Sequence, residues 1–216
     1  MDFFYSIVKF FTSGGVFMLP ILLTGAVAVA IAVERYVTLA KMGARNRRTW
    51  NKVESVLTSG EFDKARELMS MDDSSLARVL NMGLALQGAV RRRDDVEKAL
   101  QESMMEVVPQ LEKRTHYLAT LANVSTLLGL LGTVMGLIRA FAAVATVNPA
   151  EKANLLSASI SVAMNCTAFG LMTAVPLLFI HAFLQTKTTD VIDSLEMASV
   201  KFLNAITERQ TTPAAA

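Results

Sequence analysis

Three long apolar stretches limit the folds open to this chain more than any other feature. About 20 consecutive apolar residues cross the hydrocarbon core of a bilayer, so we predict three transmembrane helices. None of the stretches contains a charged side chain, and the apolar fraction of the whole chain is 52%. They cover residues 16–33, 118–138 and 153–180.

A cleaved signal peptide is the alternative interpretation of the first stretch. Ala28-Val29-Ala30 has the pattern of a cleavage site, but the apolar run continues past it to Glu34. Signal peptides also begin with a basic segment, and here only Lys9 precedes the run. These two observations favour an uncleaved span.

Basic residues are distributed unevenly around the stretches. Of the 21 Lys and Arg residues, 15 lie between Arg35 and Arg114. Cytoplasmic segments beside membrane helices carry an excess of Lys and Arg. We therefore predict a multi-pass membrane protein with its N-terminus outside and its C-terminus in the cytoplasm. In a bacterial cell this means a protein of the inner membrane with its N-terminus in the periplasm.

The predicted fold is an all-α membrane protein with three transmembrane helices and long cytoplasmic helical extensions. Its segments are a periplasmic interfacial amphipathic helix (1–15), transmembrane helix 1 (16–38), a cytoplasmic helical domain (39–116), transmembrane helix 2 (117–146), a short periplasmic loop (147–153), transmembrane helix 3 (154–186), and a cytoplasmic C-terminal helix with a disordered tail (187–216).

Helical signals organise the cytoplasmic segments. Ser59-Gly60 is expected to separate two helices over residues 53–71. A further helix, which Asp94 is expected to cap, carries an apolar stripe that continues through Pro109 straight into the second span. A last stripe continues down the C-terminal segment and consists of Leu195, Ala198, Phe202 and Ile206.

Two smaller features exclude other classes of protein. The run Arg91-Arg92-Arg93 raises nucleic-acid binding as an alternative, but two aspartates follow it at once and no aromatic residue interleaves with it. We therefore predict a solvated turn and no nucleic-acid partner. The single cysteine, Cys166, leaves no disulfide framework and no cysteine-based metal site, and we predict no cofactor.

The second span carries its small residues on one face, opposite its leucines. Membrane helices place small residues where another backbone comes close. We therefore predict helix packing and partner contact at Gly129, Gly132 and Gly136. Thr126 and Thr133 are hydroxyls on the same face.

The third span carries polar residues that a lipid-facing helix does not need. A single hydroxyl can bond the backbone one turn back, whereas a carboxamide that faces lipid is costly. Asn165 is therefore expected to face another helix or water, on the same side as Ser161. Pro176 is expected to free carbonyls that neighbouring helices bury, and we group it with the packing residues.

No aspartate or glutamate occurs inside any of the three stretches. A proton route through a membrane usually uses a titratable carboxylate at depth, so an ion pathway here would take its acid from another subunit. Motifs of an intramembrane enzyme are absent as well, and we predict no enzymatic activity.

His181 is interpreted as an interfacial residue. Arg139, which we group with the packing and partner-contact residues, is expected to extend to the outer surface.

Two sequence motifs stand in the second and third spans, LGLLGTVMGLI over residues 128–138 and CTAFGLMTAVP over residues 166–176. Together they resemble the MotA/TolQ/ExbB proton-channel family, and three spans are more similar to ExbB and TolQ than to the four of MotA. Glu34-Arg35 after the first span is similar to the Glu-Arg motif of the family.

The resemblance implies a homopentamer around two copies of an ExbD- or TolR-like single-span subunit, which carries the missing aspartate. It implies that Thr133 and Thr167 line the pore beside that aspartate and that ion flow drives rotation of the inner dimer. We add Asn165, Ser161 and Thr126 to the predicted pore lining, because the polar stripe would then face a water-accessible pore.

The expected function is to couple the proton-motive force to mechanical work on the cell envelope. ExbB-like energising of TonB-dependent outer-membrane transport, with a TonB-like protein as partner, is the leading expectation. TolQ-like envelope maintenance, a sodium-driven motor and a non-conducting membrane scaffold are the alternatives.

One position departs from the family. ExbB and TolQ carry a glutamate five residues before the threonine of the third-span motif, where this chain has Val162. The packing motif stays intact, and Asn165 one turn away can supply polarity instead. The departure leaves sodium open as the coupling ion, since hydroxyl and carbonyl oxygens suit a hard cation.

Overall fold

The computed structural model describes residues 14–86 and 93–211, with side chains up to residue 207 in the last helix. Within these ranges the secondary structure is entirely helical, which confirms the predicted all-α class. The helices are α1 (Met18–Thr58), α2 (Phe62–Ser70), α3 (Ser75–Leu86), α4 (Arg93–Glu112), α5 (Thr115–Val144) and α6 (Pro149–Thr211).

Three helical segments are long and apolar enough to cross a membrane, as predicted. They are Met18–Thr58, Arg93–Val144 and Pro149–Thr207. The interfacial helix predicted over residues 1–15 lies almost wholly outside the described residues. The predicted disordered tail beyond residue 211 and most of the Arg91-Arg92-Arg93 run lie outside them as well.

The chain divides into two compact units. The membrane unit consists of Met1–Glu34 and Arg114–Phe183, and it contains the apolar part of α1, α5 and the first half of α6. The extension unit consists of Arg35–Lys113 and Leu184–Ala216, and it contains the remaining helices and helix portions.

The extension unit has a continuous apolar core. The predicted stripe on α6 is confirmed, because Leu195 and Phe202 are fully buried and the side chains of Ala198 and Ile206 are nearly so. The Phe202 ring meets the Phe62 ring edge to face, with 6.5 Å between the ring centroids. Such a pair adds about 0.5–1.5 kcal/mol to the burial itself.

The turn between α1 and α2 forms where the sequence predicts it. α1 ends at Thr58, and Gly60 follows with a left-handed φ of +76°. The N–H groups of Gly60 and Glu61 donate to the carbonyls of Leu57 and Val56, both at 3.1 Å. A glycine in this conformation is the common end of a helix, because it has no Cβ atom to clash.

The passage from α4 into the second span differs from the prediction. Pro109 lies inside α4 as expected, but the helix stops at Glu112 and α5 begins at Thr115, after Arg114 with a left-handed φ of 67°. The physical reason for this break in the helix lies at Leu111. Its carbonyl, which an uninterrupted helix would offer to the N–H of residue 115, accepts a hydrogen bond from the buried Arg35 guanidinium.

The start of α4 also differs in detail. Asp94 lies in the first turn of the helix, which begins at Arg93, and therefore does not occupy the capping position. Its carboxylate still stands at the positive end of the helix dipole, where a negative charge is favourable.

Asp72 ties α1 to the turn before α3. Its carboxylate accepts hydrogen bonds from the Thr49 hydroxyl at 2.7 Å and the Ser74 N–H at 2.8 Å, and it lies 3.4 Å from Arg45. Burial alone would raise the pKa of Asp72, but the hydrogen bonds and the Arg45 cation together bring the pKa below its usual value. The folded state therefore favours the charged form of this carboxyl group.

Candidate ion-pathway site

Helices α5 and α6 approach most closely where glycines meet the opposite backbone. A Cβ atom on Gly129 would lie 3.2 Å from the Cα atom of Thr167 and 3.3 Å from that of Gly170. A Cβ atom on Gly170 would lie 2.8 Å from the Ser125 carbonyl oxygen. The two backbones are therefore in direct contact, which only residues without a side chain permit at this distance.

The other two glycines of the small-residue face continue this contact along α5. A Cβ atom on Gly132 would clash with the Cys166 thiol, and one on Gly136 would lie 2.8 Å from the Cβ atom of Ala163. Leu127 and Leu131 on the opposite side are 62% and 45% exposed in the single chain. The structure thus places the three predicted packing glycines against α6 of the same chain.

Thr167 bridges the two helices at their crossing. Its hydroxyl donates a hydrogen bond to the Gly129 carbonyl oxygen at 2.9 Å. This carbonyl also lies within α5, where the N–H of residue 133 is its regular partner. The bond therefore ties the third-span motif to the second-span motif at the point of closest approach.

The other two predicted pore threonines bond within their own helix. The Thr133 hydroxyl donates to the Leu130 carbonyl at 2.6 Å, and the Thr126 hydroxyl donates to the Ala122 carbonyl at 3.2 Å. All three threonines consequently use their single hydroxyl hydrogen on a backbone carbonyl. Since a hydroxyl has one hydrogen and two acceptor lone pairs, each one offers an acceptor to any further partner.

The polar stripe of the third span lies towards the surface of the chain. Ser161 is exposed and Asn165 is half-buried. Val162, which stands in the position of the family glutamate, is 37% exposed. Ser161 and Val162 are therefore accessible to a second chain or to solvent.

Pro176 and Arg139 are both exposed. Pro176 lies inside α6, which continues on both sides of it. The burial of its freed carbonyl by neighbouring helices stays a prediction.

Two features of the site were not predicted from the sequence. Ser125 is fully buried at the crossing, and its hydroxyl has no partner among the described residues. Glu34, of the Glu-Arg motif, forms an ion pair of 3.6 Å with Arg114 at the start of α5. The small-residue pattern indicated the face on which Ser125 lies, whereas no local signal pairs Glu34 with a residue 80 positions away.

Comparison with known proteins agrees with this architecture. The sequence profile of the MotA/TolQ/ExbB proton channel family matches residues 71–197. The ExbB-like 3 biopolymer transport protein of Synechocystis is 31% identical over 173 residues, which cover 79% of this chain and 81% of the relative. The ExbB homolog of Methanothermobacter thermautotrophicus is 26% identical over 207 residues, or 91% of this chain and 69% of the relative.

A shorter similarity reaches the TolQ branch. The Tol-Pal system protein TolQ of Haemophilus influenzae is 37% identical over 79 residues, which cover 37% of this chain and 34% of that protein. The fold defines a class of protein, a helical membrane subunit in which two spans pack through glycines and carry hydroxyl side chains. The chain belongs to the MotA/TolQ/ExbB proton channel family, which is a family of channels and not of enzymes.

Proposed function

We propose that the chain is the channel subunit of an ion-driven motor in the bacterial inner membrane, and that it energises TonB-dependent transport across the outer membrane as ExbB does. The extent of similarity supports the ExbB branch, because relatives named ExbB match 79% and 91% of the chain whereas the TolQ relative matches 37%. TolQ-like envelope maintenance is the second candidate, because a TolQ protein is also among the relatives, at 37% identity over 79 residues.

The proposed mechanism follows from the direction of the hydrogen bonds that the threonine hydroxyls form, because each hydroxyl donates its hydrogen to a backbone carbonyl. With its hydrogen donated to the Gly129 carbonyl, Thr167 presents lone pairs to an incoming group, and Thr133 does the same. Lone pairs accept a hydrogen bond from a protonated carboxyl group, whereas a bare carboxylate has no hydrogen to give. The site therefore receives the neutral, proton-loaded form of an acid.

The acid itself comes from a partner, because the spans of this chain contain none. We assign it to the aspartate of an ExbD- or TolR-like single-span subunit. Two copies of that subunit would be enclosed by a pentamer of this chain. Exposed apolar side chains such as Leu127 (62%) and Phe179 (74%) leave surface on the membrane unit for such neighbours and for lipid.

The transported ion is a proton in this proposal, and sodium is the second candidate. Hydroxyl lone pairs also coordinate a hard cation, and Val162 replaces the glutamate that ExbB and TolQ carry. Asn165, half-buried one turn away, can bind water on either pathway.

A threonine series tests the proposal. Thr133→Val and Thr167→Val keep the side-chain shape but remove the acceptor, whereas Thr→Ser keeps it. An unsatisfied polar partner costs about 1–3 kcal/mol, so we expect valine to slow gradient-driven proton uptake in proteoliposomes about fivefold to a hundredfold and serine to leave it near wild type. Sodium uptake is recorded on the same vesicles.

Thr120→Val is the matched control, because Thr120 also bonds one turn back on α5, is exposed, and lies outside the predicted pathway. Thr133 is the more decisive of the two positions, since its bond lies within one helix and its loss leaves the contact with α6 unchanged. If Thr133→Val transports as fast as Thr133→Ser with the complex assembled, the hydroxyl has no part in ion transfer.

A further inference from the structure

Two surfaces of opposite charge lie on the extension unit. The first, here called the basic groove, is a cleft of about 890 Å³ between α1 and α6. Its cations and larger side chains are Arg47, Arg48, Trp50, Lys187 and Met197. The second, called the acidic face, surrounds a shallow cleft of about 540 Å³ between α4 and α6. Its characteristic residues are Glu97, Met105, Pro109, Glu196 and Val200.

The arginines and glutamates of these surfaces are not neutralised within the described residues, whereas Lys187 is paired. Arg47, Arg48, Glu97 and Glu196 form no ion pair with any residue in the described ranges. The one carboxylate in the basic groove, Asp190, lies 3.8 Å from Lys187. The acidic face contains no cation among its lining residues.

The two surfaces occupy opposite sides of one helix. At 100° per residue, the α6 residues of the basic groove (187, 190, 191, 194, 197 and 198) and those of the acidic face (196, 199, 200 and 203) are centred about 170° apart. A surface and its complement on opposite sides of a molecule suit head-to-tail association, which closes into a ring when the rotation allows.

The opposite charges also lie at the same height along the helices. Gly43 of α1 packs against Val191 of α6, since a Cβ atom on it would be 3.4 Å from the valine. At 1.5 Å per residue on both helices, this register places Arg47 and Arg48 level with residues 195 and 196. Copies that stand side by side in one membrane would therefore bring these arginines to the level of Glu196.

The side chains on the two surfaces also differ in size and exposure in a way that suits a contact. The lining of the basic groove includes three small residues, Ala40, Gly43 and Ala44, beside its larger side chains. Met105 on the acidic face is 75% exposed, and Val200 beside it is 56% exposed. Exposed apolar side chains that are surrounded by charge are typical of a protein interface.

We propose that the acidic face of one copy of this chain docks in the basic groove of the next copy, and that this contact joins neighbouring copies in the ring. The inference rests on the proposed function only for the existence of a ring; the surfaces themselves follow from the extension unit.

An anionic lipid is the other candidate for the basic groove, and depth along the helix argues against it. The predicted first span ends at residue 38, and the arginines begin nine residues later, or about 13 Å further along α1. Each headgroup region of a bilayer is only about 5–7 Å thick. At this register the backbone of Lys187 is level with the headgroups, whereas the backbone of the arginines stands beyond them.

Charge reversal tests the contact on the purified full-length chain, with the mass of the complex measured in detergent by native mass spectrometry. Arg47→Glu with Arg48→Glu reverses the basic groove, and Glu97→Arg with Glu196→Arg reverses the acidic face. We expect either pair alone to raise the chain concentration needed for half-assembly at least about tenfold. Arg66→Glu with Arg78→Glu is the matched control, because both residues are exposed and lie outside the two surfaces.

Two combinations separate this contact from a general effect of charge. All four substitutions in one chain restore complementarity in the opposite sense, and the ring should return, which also shows that the variants fold. In a mixture of the two singly reversed chains, unlike chains are complementary in both directions and like chains repel each other, so the mixture should assemble with the two chains in equal numbers although neither assembles alone.

The proposal is overturned if the wild-type chain is monomeric, or if both reversed chains assemble like the control. It is equally overturned if they assemble normally but lose a co-purifying anionic phospholipid, which would make the groove a lipid site. Proton uptake in the presence of the single-span partner distinguishes the two proposals: a normal ring that binds this partner and transports no ions refutes the function, whereas uptake by a ring that tolerates every reversal refutes this contact alone.

Discussion

Gly170→Ala adds one methyl group at a point where the backbones of α5 and α6 meet. The new Cβ atom would lie 2.8 Å from the Ser125 carbonyl oxygen and 3.1 Å from the Gly129 Cα atom. Both neighbours are backbone atoms, so neither can rotate away. Ordinary contact begins at 3.4 Å, and α5 and α6 must therefore separate by about 0.6 Å.

That separation has two costs and one gain. Overpacking of a close contact costs about 1–3 kcal/mol. The hydrogen bond from Thr167 to the Gly129 carbonyl would lengthen from 2.9 Å towards the limit of about 3.5 Å, at a further cost of about 0.5–1.5 kcal/mol. Alanine gains about 1 kcal/mol over glycine inside a helix. The expected net loss is about 0.5–3.5 kcal/mol.

Gly43→Ala provides the matched control. It gains the same helix propensity, but its Cβ atom would make an ordinary 3.4 Å contact with Val191, so we expect a small stabilisation. The free energy of unfolding is measured for both variants in micelles by SDS titration, followed by circular dichroism. The reasoning is wrong if Gly170→Ala is as stable as Gly43→Ala, because the backbones would then not be in contact.

Two further predictions concern topology and pH. Ser59→Cys and Asn148→Cys, both at exposed positions, are made singly in a Cys166→Ser background. In intact cells an impermeant reagent should label Asn148→Cys and not Ser59→Cys. Labelling of Ser59→Cys instead would show that the orientation is the reverse of the predicted one. Because the pKa of Asp72 is lowered on folding, its stabilising contribution is present above its usual value of 3.8 and is lost as the pH falls through the lower folded value. Acid titration of the unfolding midpoint should show this loss in the wild type and not in Asp72→Asn, and equal profiles would contradict it.

Apolar periodicity and turn residues were sufficient to predict much of the fold. Three spans, the break at Ser59-Gly60 and the buried stripe on α6 follow from local signals, since burial imposes a regular pattern and a left-handed turn requires a residue such as glycine. The break before α5 has no such signal. It occurs at Lys113-Arg114, without glycine or proline, and Arg35 from a distant helix supplies the partner that the interrupted carbonyl requires.

The sequence predicted which residue types form the site, but not which residues contact one another. Helical spacing indicated which face of α5 is small, but it contains no information on the register between α5 and α6. The bond from Thr167 to Gly129 and the closeness of Gly170 to Ser125 depend on that register. The basic groove of the extension unit depends in the same way on the packing of Gly43 of α1 against Val191 of α6.

Ion uptake by purified complexes tests the central claim most directly. The chain alone, the chain with its single-span partner, and the chain with a partner whose membrane aspartate is replaced by asparagine are each placed in proteoliposomes under a proton gradient. We predict uptake only by the complex that contains the aspartate, since this chain offers acceptors and no acid of its own in the spans. Equal uptake by the chain alone, or with the asparagine partner, would show that the pathway does not use a partner's carboxyl group.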